Sequence, residues 1–94
     1  MFAIRVTSEG RIELEGRFDA AQVPAAQEVL SDVEESTVLD CATLDYISSA
    51  GLGVLFATQK RLMGAGGGLK LVHLNPHIRE VFEIAGFDTI FDIE

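Results

Sequence analysis

Tryptophan is absent from this 94-residue chain, cysteine and tyrosine occur once each, and there are only two prolines. A single Cys41 excludes an internal disulfide and a cysteine-based metal site, and suits a reducing, cytosolic setting. Cations are scarce: seven Lys and Arg stand against fifteen Asp and Glu, for a formal charge of −8. That balance argues against nucleic acid, whose phosphates demand clustered Lys and Arg. No apolar run approaches the ~18 residues of a membrane span. Met1 leads directly into an alternating pattern containing Arg5, so neither membrane insertion nor a signal peptide is expected. Enzyme signatures are missing too. There is no G-x-S-x-G elbow and no Gly-Lys-Ser/Thr phosphate loop. His73 and His77 are separated by Asn75-Pro76, so they do not share a helical face as zinc ligands would. The expectation is a protein without catalytic residues, metal or cofactor, whose acidity selects a partner with a basic or apolar contact surface.

What is present is an ordinary globular composition, 48% apolar and 23% charged, sufficient for one domain over residues 1–94. Phe2–Thr7 and Arg11–Glu15 alternate with period two around a Ser8-Glu9-Gly10 turn, which predicts a hairpin with one buried face. Gly16-Arg17-Phe18-Asp19 breaks the second strand and offers Asp19 as a helix N-cap. Val23, Ala26, Val29 and Leu30 recur at helical spacing from Ala20 to about Asp32, with Pro24 tolerated near the first turn. Thr37-Val38-Leu39 reads as a short apolar strand, central and covered on both sides. Gly64–Gly68 is a loop and Leu69–Leu74 a strand. Asn75-Pro76 caps a helix through Ile84-Ala85 that Gly86 closes, and residues 87–94 supply a last short strand. The order predicts an α/β domain: an N-terminal β-hairpin, then alternating helices and strands, with a mixed central sheet flanked by helices.

The stretch from Asp40 to Met63 is the one without an obvious structural excuse. Its helix, Ala50 to Met63, sets Leu52, Leu55, Phe56, Gln59, Leu62 and Met63 along one stripe. Val54 and Ala57 lie off it, as further core or as a contact face. Ser48-Ser49-Ala50-Gly51-Leu52-Gly53 opens the helix with a hydroxyl cap and two glycines. Each glycine costs roughly 1 kcal/mol against alanine. They mark either a surface where a partner approaches the backbone or tight internal packing. Ser49 alone could be an ordinary N-cap, and Ser48 reads best as a plain cap or turn residue.

These residues resemble the STAS family, in particular its small bacterial anti-sigma factor antagonists of the SpoIIAA and RsbV kind. That family's signature is an apolar strand, a loop and Asp-Ser-Ser/Thr-Gly-Leu-Gly opening a helix. Gly16-Arg17-Phe18-Asp19 resembles its Gly-x-Leu-Asp. Gly67-Gly68-Leu69-Lys70-Leu71, Asn75-Pro76 and Ala85-Gly86-Phe87 resemble its second half. The resemblance implies a cytoplasmic, non-enzymatic anti-sigma factor antagonist with Ser49 as phosphoacceptor. Its unphosphorylated form binds an anti-sigma factor that is also its Ser/Thr kinase, of the GHKL ATPase fold. Phosphorylation abolishes that binding, and a PP2C-type phosphatase restores it. The implied contact residues are Ser48, Ser49, Ala50, Gly51, Leu52, Gly53, Val54 and Ala57. Two positions depart from the pattern: Ser48 replaces the family's acid, which makes it a second candidate acceptor, and Ala50 follows Ser49. Two other readings remain at this point. One is a non-enzymatic STAS subunit of a lipid-transport ABC complex, and the other an anion- or nucleotide-binding regulator using the Ser49–Gly53 turn.

Overall fold

The computed structural model describes residues 1–94. β1 (Phe2–Val6) pairs antiparallel with β2 (Ile12–Phe18), as the alternation predicts. Ile12, Leu14 and Phe18 of β2 are fully buried, whereas Glu13, Glu15 and Arg17 point the other way. The expected break at Gly16 does not occur, and β2 runs on to Phe18. Gly16 makes this possible with φ of 84°. A Cβ there would collide with the Met1 carbonyl, which accepts the Arg17 N–H at 2.8 Å. Asp19 caps as expected by accepting the Ala21 N–H at 3.1 Å. What it caps is a single 3₁₀ turn, Ala20–Gln22, so α1 (Val23–Leu30) is shorter than the apolar spacing implied.

Thr37-Val38-Leu39 proves to be the start of an 11-residue strand, β3 (Thr37–Ile47). From Glu13 to Glu15 its partners advance from Asp40 to Thr43, and from Gly16 to Arg17 they advance from Leu44 to Tyr46. β3 therefore carries an extra residue at two points, and each bulge interrupts strict alternation. Asp40 steadies the first by accepting the Ala42 N–H at 3.0 Å.

Then follow α2 (Ser49–Gly64), β4 (Leu69–Val72), α3 (Pro76–Ile84) and β5 (Asp92–Ile93). The sheet order is β1-β2-β3-β4-β5, with β2 to β5 parallel. Each crossover steps one strand in the same direction, and right-handed crossovers then put successive helices on one face. Ala26 and Leu30 of α1, Leu55 and Leu62 of α2, and Ile78 and Phe82 of α3 accordingly join the sheet's inner residues in one core. Burying each such large side chain contributes about 1.5–3 kcal/mol. β3 is central, as expected, but the two-sided cover predicted for it is not found. The opposite face carries Arg5, Glu13, Glu15 and Lys70, with partly exposed pairs Arg5–Glu15 and Lys70–Glu94, each at 2.9 Å.

β4 stops at Val72 rather than Leu74 because His73 takes a left-handed φ of 62°. Asn75 then caps α3, accepting the Ile78 N–H at 2.8 Å while its amide donates to the Leu44 carbonyl at 3.1 Å. The expected final strand is the two-residue β5, preceded by a 3₁₀ turn at Phe87–Thr89. Two polar side chains fix α2 on this frame. Buried Gln59 accepts the Leu69 N–H at 2.6 Å and donates to the Ile90 carbonyl at 2.8 Å. Arg61 donates to the Leu30 and Val33 carbonyls at the end of α1, at 2.8 and 2.7 Å.

Candidate functional site

The junction of β3 and α2 is tied to the end of β2. Backbone Ser48 donates its N–H to the Phe18 carbonyl at 2.9 Å. Its extended conformation, φ −88° and ψ 171°, turns the side chain back over the helix start. There the Ser48 hydroxyl oxygen accepts the Gly51 N–H at 3.2 Å. Ser48 is therefore the N-cap, and Ser49 is the first residue of the helix. Ser49 is exposed, and its hydroxyl makes no hydrogen bond within the chain. The N–H groups of Ser49 and Ala50 precede Leu52, whose N–H is the first to donate within the helix, and stay uncommitted beside the positive end of the α2 dipole.

Of the eight predicted contact residues, the structure brings five to the surface and buries three. Ser49, Gly53 and Ala57 are exposed, one turn apart along α2, with Ser48 and Ala50 half-buried beside them. Gly51, Leu52 and Val54 are buried, the last two at 8% exposure, and belong to the interior. The two glycines part company. A Cβ on Gly53 would meet nothing within 4 Å, so this position is open to an approaching surface. A Cβ on Gly51 would lie 2.9 Å from the Phe18 carbonyl oxygen, 2.9 Å from Ile47 and 3.1 Å from the Phe18 ring. Gly51 is a packing glycine. Met63, expected on the core stripe, is 55% exposed. Phe56 is half-buried, its ring stacked on Phe87 at 5.3 Å.

Phe18 is the residue that sequence reasoning missed here. The Gly-x-Phe-Asp pattern marked it as a strand end, but nothing local signalled that its carbonyl receives Ser48. A second unpredicted feature lies on the open sheet face, where Asp40 meets His73 Nδ1 at 3.0 Å. Burial pushes the Asp40 carboxyl up, but the His73 hydrogen bond and the Ala42 N–H outweigh it and hold the group below its ordinary range. That pairing engages His73, and His77 is exposed on α3. Neither imidazole is hydrogen-bonded to Ser48 or Ser49. Burial raises the Cys41 thiol to about 12, so it stays protonated and inert.

Nor does the topology offer a nucleotide crevice. Such crevices form where the strand order reverses, and this order never reverses. None of the four surface hollows is lined by Ser48, Ser49 or Ala50; the nearest along α2, between α1 and α2, includes Ala57, Thr58 and Arg61. The molecule is thus a one-faced α/β domain that presents an uncommitted serine hydroxyl at a helix start on an open surface.

Comparison with known proteins places that architecture. The chain belongs to the STAS family: the family model described as "Mlab, STAS domain" matches residues 3–92. The anti-sigma-B factor antagonist of Bacillus subtilis is 30% identical over 86 residues, covering 88% of this chain and 79% of that protein. BtrV of Bordetella bronchiseptica, named as a candidate anti-sigma factor antagonist, is 53% identical over 60 residues. That match covers 64% of this chain but only 52% of BtrV. Among solved structures, an anti-sigma factor antagonist from Mycobacterium paratuberculosis superposes with a TM-score of 0.80 at 22% identity, over 99% of this chain and 83% of that one. Unphosphorylated SpoIIAA superposes with a TM-score of 0.69 at 18% identity, over 89% of this chain and 83% of that one. At these identities the two structures establish the fold.

Proposed function

We propose that this chain is an anti-sigma factor antagonist regulated by phosphorylation of Ser49. The unphosphorylated protein binds an anti-sigma factor that is also a Ser/Thr kinase of the GHKL ATPase fold. That kinase phosphorylates Ser49 and ends the interaction, and a PP2C-type phosphatase reverses it in the cytoplasm. The observation that carries the reading is the division of labour between the two serines. Ser48 spends its hydroxyl on the cap, whereas Ser49 is exposed with its hydroxyl free. The names of the Bacillus and Bordetella relatives point the same way.

The physical consequence follows from position. A phosphate adds about −1.5 to −2 charge at pH 7. On Ser49 it would lie beside the free N–H groups and positive dipole of α2, which accommodate it without unfolding the helix. The cost falls on a complex that must bury the dianion, at several kcal/mol. A loss of about 3 kcal/mol already weakens Kd more than a hundredfold. The switch therefore needs no conformational change. Its test is phosphosite mapping after incubation with ATP and kinase activity from the source cell. The expected product carries one phosphate, on Ser49; phosphate on Ser48 instead, or none, contradicts the proposal.

A second reading, docking onto the ATPase of a lipid-transport complex, is retained because the matching family model is described as Mlab. It predicts co-purification with a transporter ATPase and no phosphate on either serine.

A further inference from the structure

We infer that Phe18, Ser48 and Gly51 form a latch that positions Ser49 for phosphoryl transfer. The inference rests on the reading of Ser49 as the phosphoacceptor. Three contacts define the latch. The Phe18 carbonyl accepts the Ser48 N–H at 2.9 Å, and the Ser48 hydroxyl accepts the Gly51 N–H at 3.2 Å. The bare Cα of Gly51 packs where any Cβ would stand 2.9 Å from that same Phe18 oxygen. Phe18 cannot yield easily: its side chain is fully buried, its ring lies 5.0 Å from that of Phe2, and its oxygen belongs to the backbone of a paired strand. Ser49 lies between the two latched residues, 48 and 51, so the start of α2 is held in place before any partner arrives. Its hydroxyl is left as the mobile element, turning about χ1 over a fixed backbone.

This assigns Gly51 a role different from that of Gly53. Gly53 keeps the outer surface of α2 low. Gly51 keeps the helix start seated on β2. Adding one methyl at Gly51 must lift the first turn by a few tenths of an ångström or more, because the obstructing atom is a backbone oxygen. Phosphoryl transfer depends on alignment of the attacking hydroxyl, and small displacements of a reacting group are costly. None of these three residues needs to touch the kinase or ATP to act; they are positioning residues.

The test compares Gly51→Ala with wild type in steady-state phosphorylation of Ser49, using ATP and kinase activity purified from the source cell. Leu62→Val, a core substitution three turns away, controls for lost stability, and all proteins are assayed at a temperature where unfolding is negligible. Gly51→Ala is expected to lower kcat/KM at least tenfold while Leu62→Val stays within twofold. Amide shifts in Gly51→Ala are expected across Phe18–Ala20 as well as Ser48–Leu52. Should Gly51→Ala not fold, Ser48→Pro and Ser48→Ala replace it. Both remove the cap hydroxyl, but only proline also removes the N–H given to Phe18 and sets a ring carbon against that oxygen. Ser48→Pro is then expected to be at least tenfold poorer than Ser48→Ala. Equal kcat/KM in either comparison, or an equal loss in Leu62→Val, overturns the latch. If wild type is not phosphorylated on Ser49, the functional reading fails. The latch is then judged on the amide shifts alone, and their confinement to residues 50–52 overturns it.

Discussion

Replacing Ser48 by alanine and, separately, Ser49 by alanine separates the cap from the proposed acceptor by stability alone. Ser48→Ala removes the only side-chain acceptor of the Gly51 N–H, and Gly51 is buried, so solvent does not readily replace it. Loss of an N-cap costs ~1 kcal/mol, within a range of about 0.5–2. The burial of Gly51 puts the expectation in the upper half, about 1–2 kcal/mol. For a domain of this size, 1 kcal/mol lowers Tm by about 4–8 °C. Ser49→Ala deletes an exposed hydroxyl that bonds to nothing in the chain, and an exposed change of this kind stays within about 0.5 kcal/mol. Ser48→Asp keeps an acceptor at the cap and adds a negative charge at the helix start, favourable by about 0.3–1 kcal/mol, so it should be at least as stable as wild type. Urea unfolding followed by far-ultraviolet circular dichroism, fitted with a common slope, measures all three. The reasoning is refuted if Ser49→Ala is as destabilised as Ser48→Ala, or if Ser48→Ala is indistinguishable from wild type.

Other consequences can be measured on the same protein. Gln59→Ala strands the Leu69 N–H and the Ile90 carbonyl, at about 1–3 kcal/mol each, and should lower stability by about 2–6 kcal/mol in the same urea assay. Gly53→Ala should stabilise the free protein by up to about 1 kcal/mol, since the helix gains an alanine in open space, yet weaken partner docking in a titration. Asp40 titrates lower in the folded protein than in the unfolded chain. Its contribution is therefore fully present above the unfolded value and lost as pH falls through the folded one. Asp40→Asn should be destabilised at neutral pH, with a gap to wild type that closes below ~pH 4 in unfolding curves.

Local pattern carried much of the fold. The hairpin, the Asp19 and Asn75 caps, Pro76 at the start of α3 and the short last strand all arise from nearest-neighbour chemistry. The missed features share a cause: each depends on a residue distant in the chain. β3 looked three residues long because its two bulges scramble the alternation of Asp40–Ile47, and bulges are set by register against β2. The open face of the sheet follows from strand order, which no single strand reveals. Thr37 and Val38 are half-buried, and the apolar run suggested more cover than the helices provide. At the candidate site, the family pattern directed attention to Ser49, and the geometry bears out the cap reading of Ser48 while leaving the Ser49 hydroxyl free. Gly51 and Gly53 are indistinguishable in sequence. They differ only in whether Phe18, more than thirty residues earlier, stands opposite.

The measurement that bears most directly on the proposed switch is the affinity of the chain for its kinase partner in two states. Protein phosphorylated on Ser49 and its unphosphorylated form are each titrated calorimetrically into the partner, with Ser49→Ala as a third sample. Unphosphorylated protein and Ser49→Ala should bind alike, and phosphorylation should raise Kd more than a hundredfold, about 3 kcal/mol, with both forms giving the same unfolding midpoint within a few degrees. Equal affinity of the two forms contradicts the account, as does a loss of affinity accompanied by unfolding of α2.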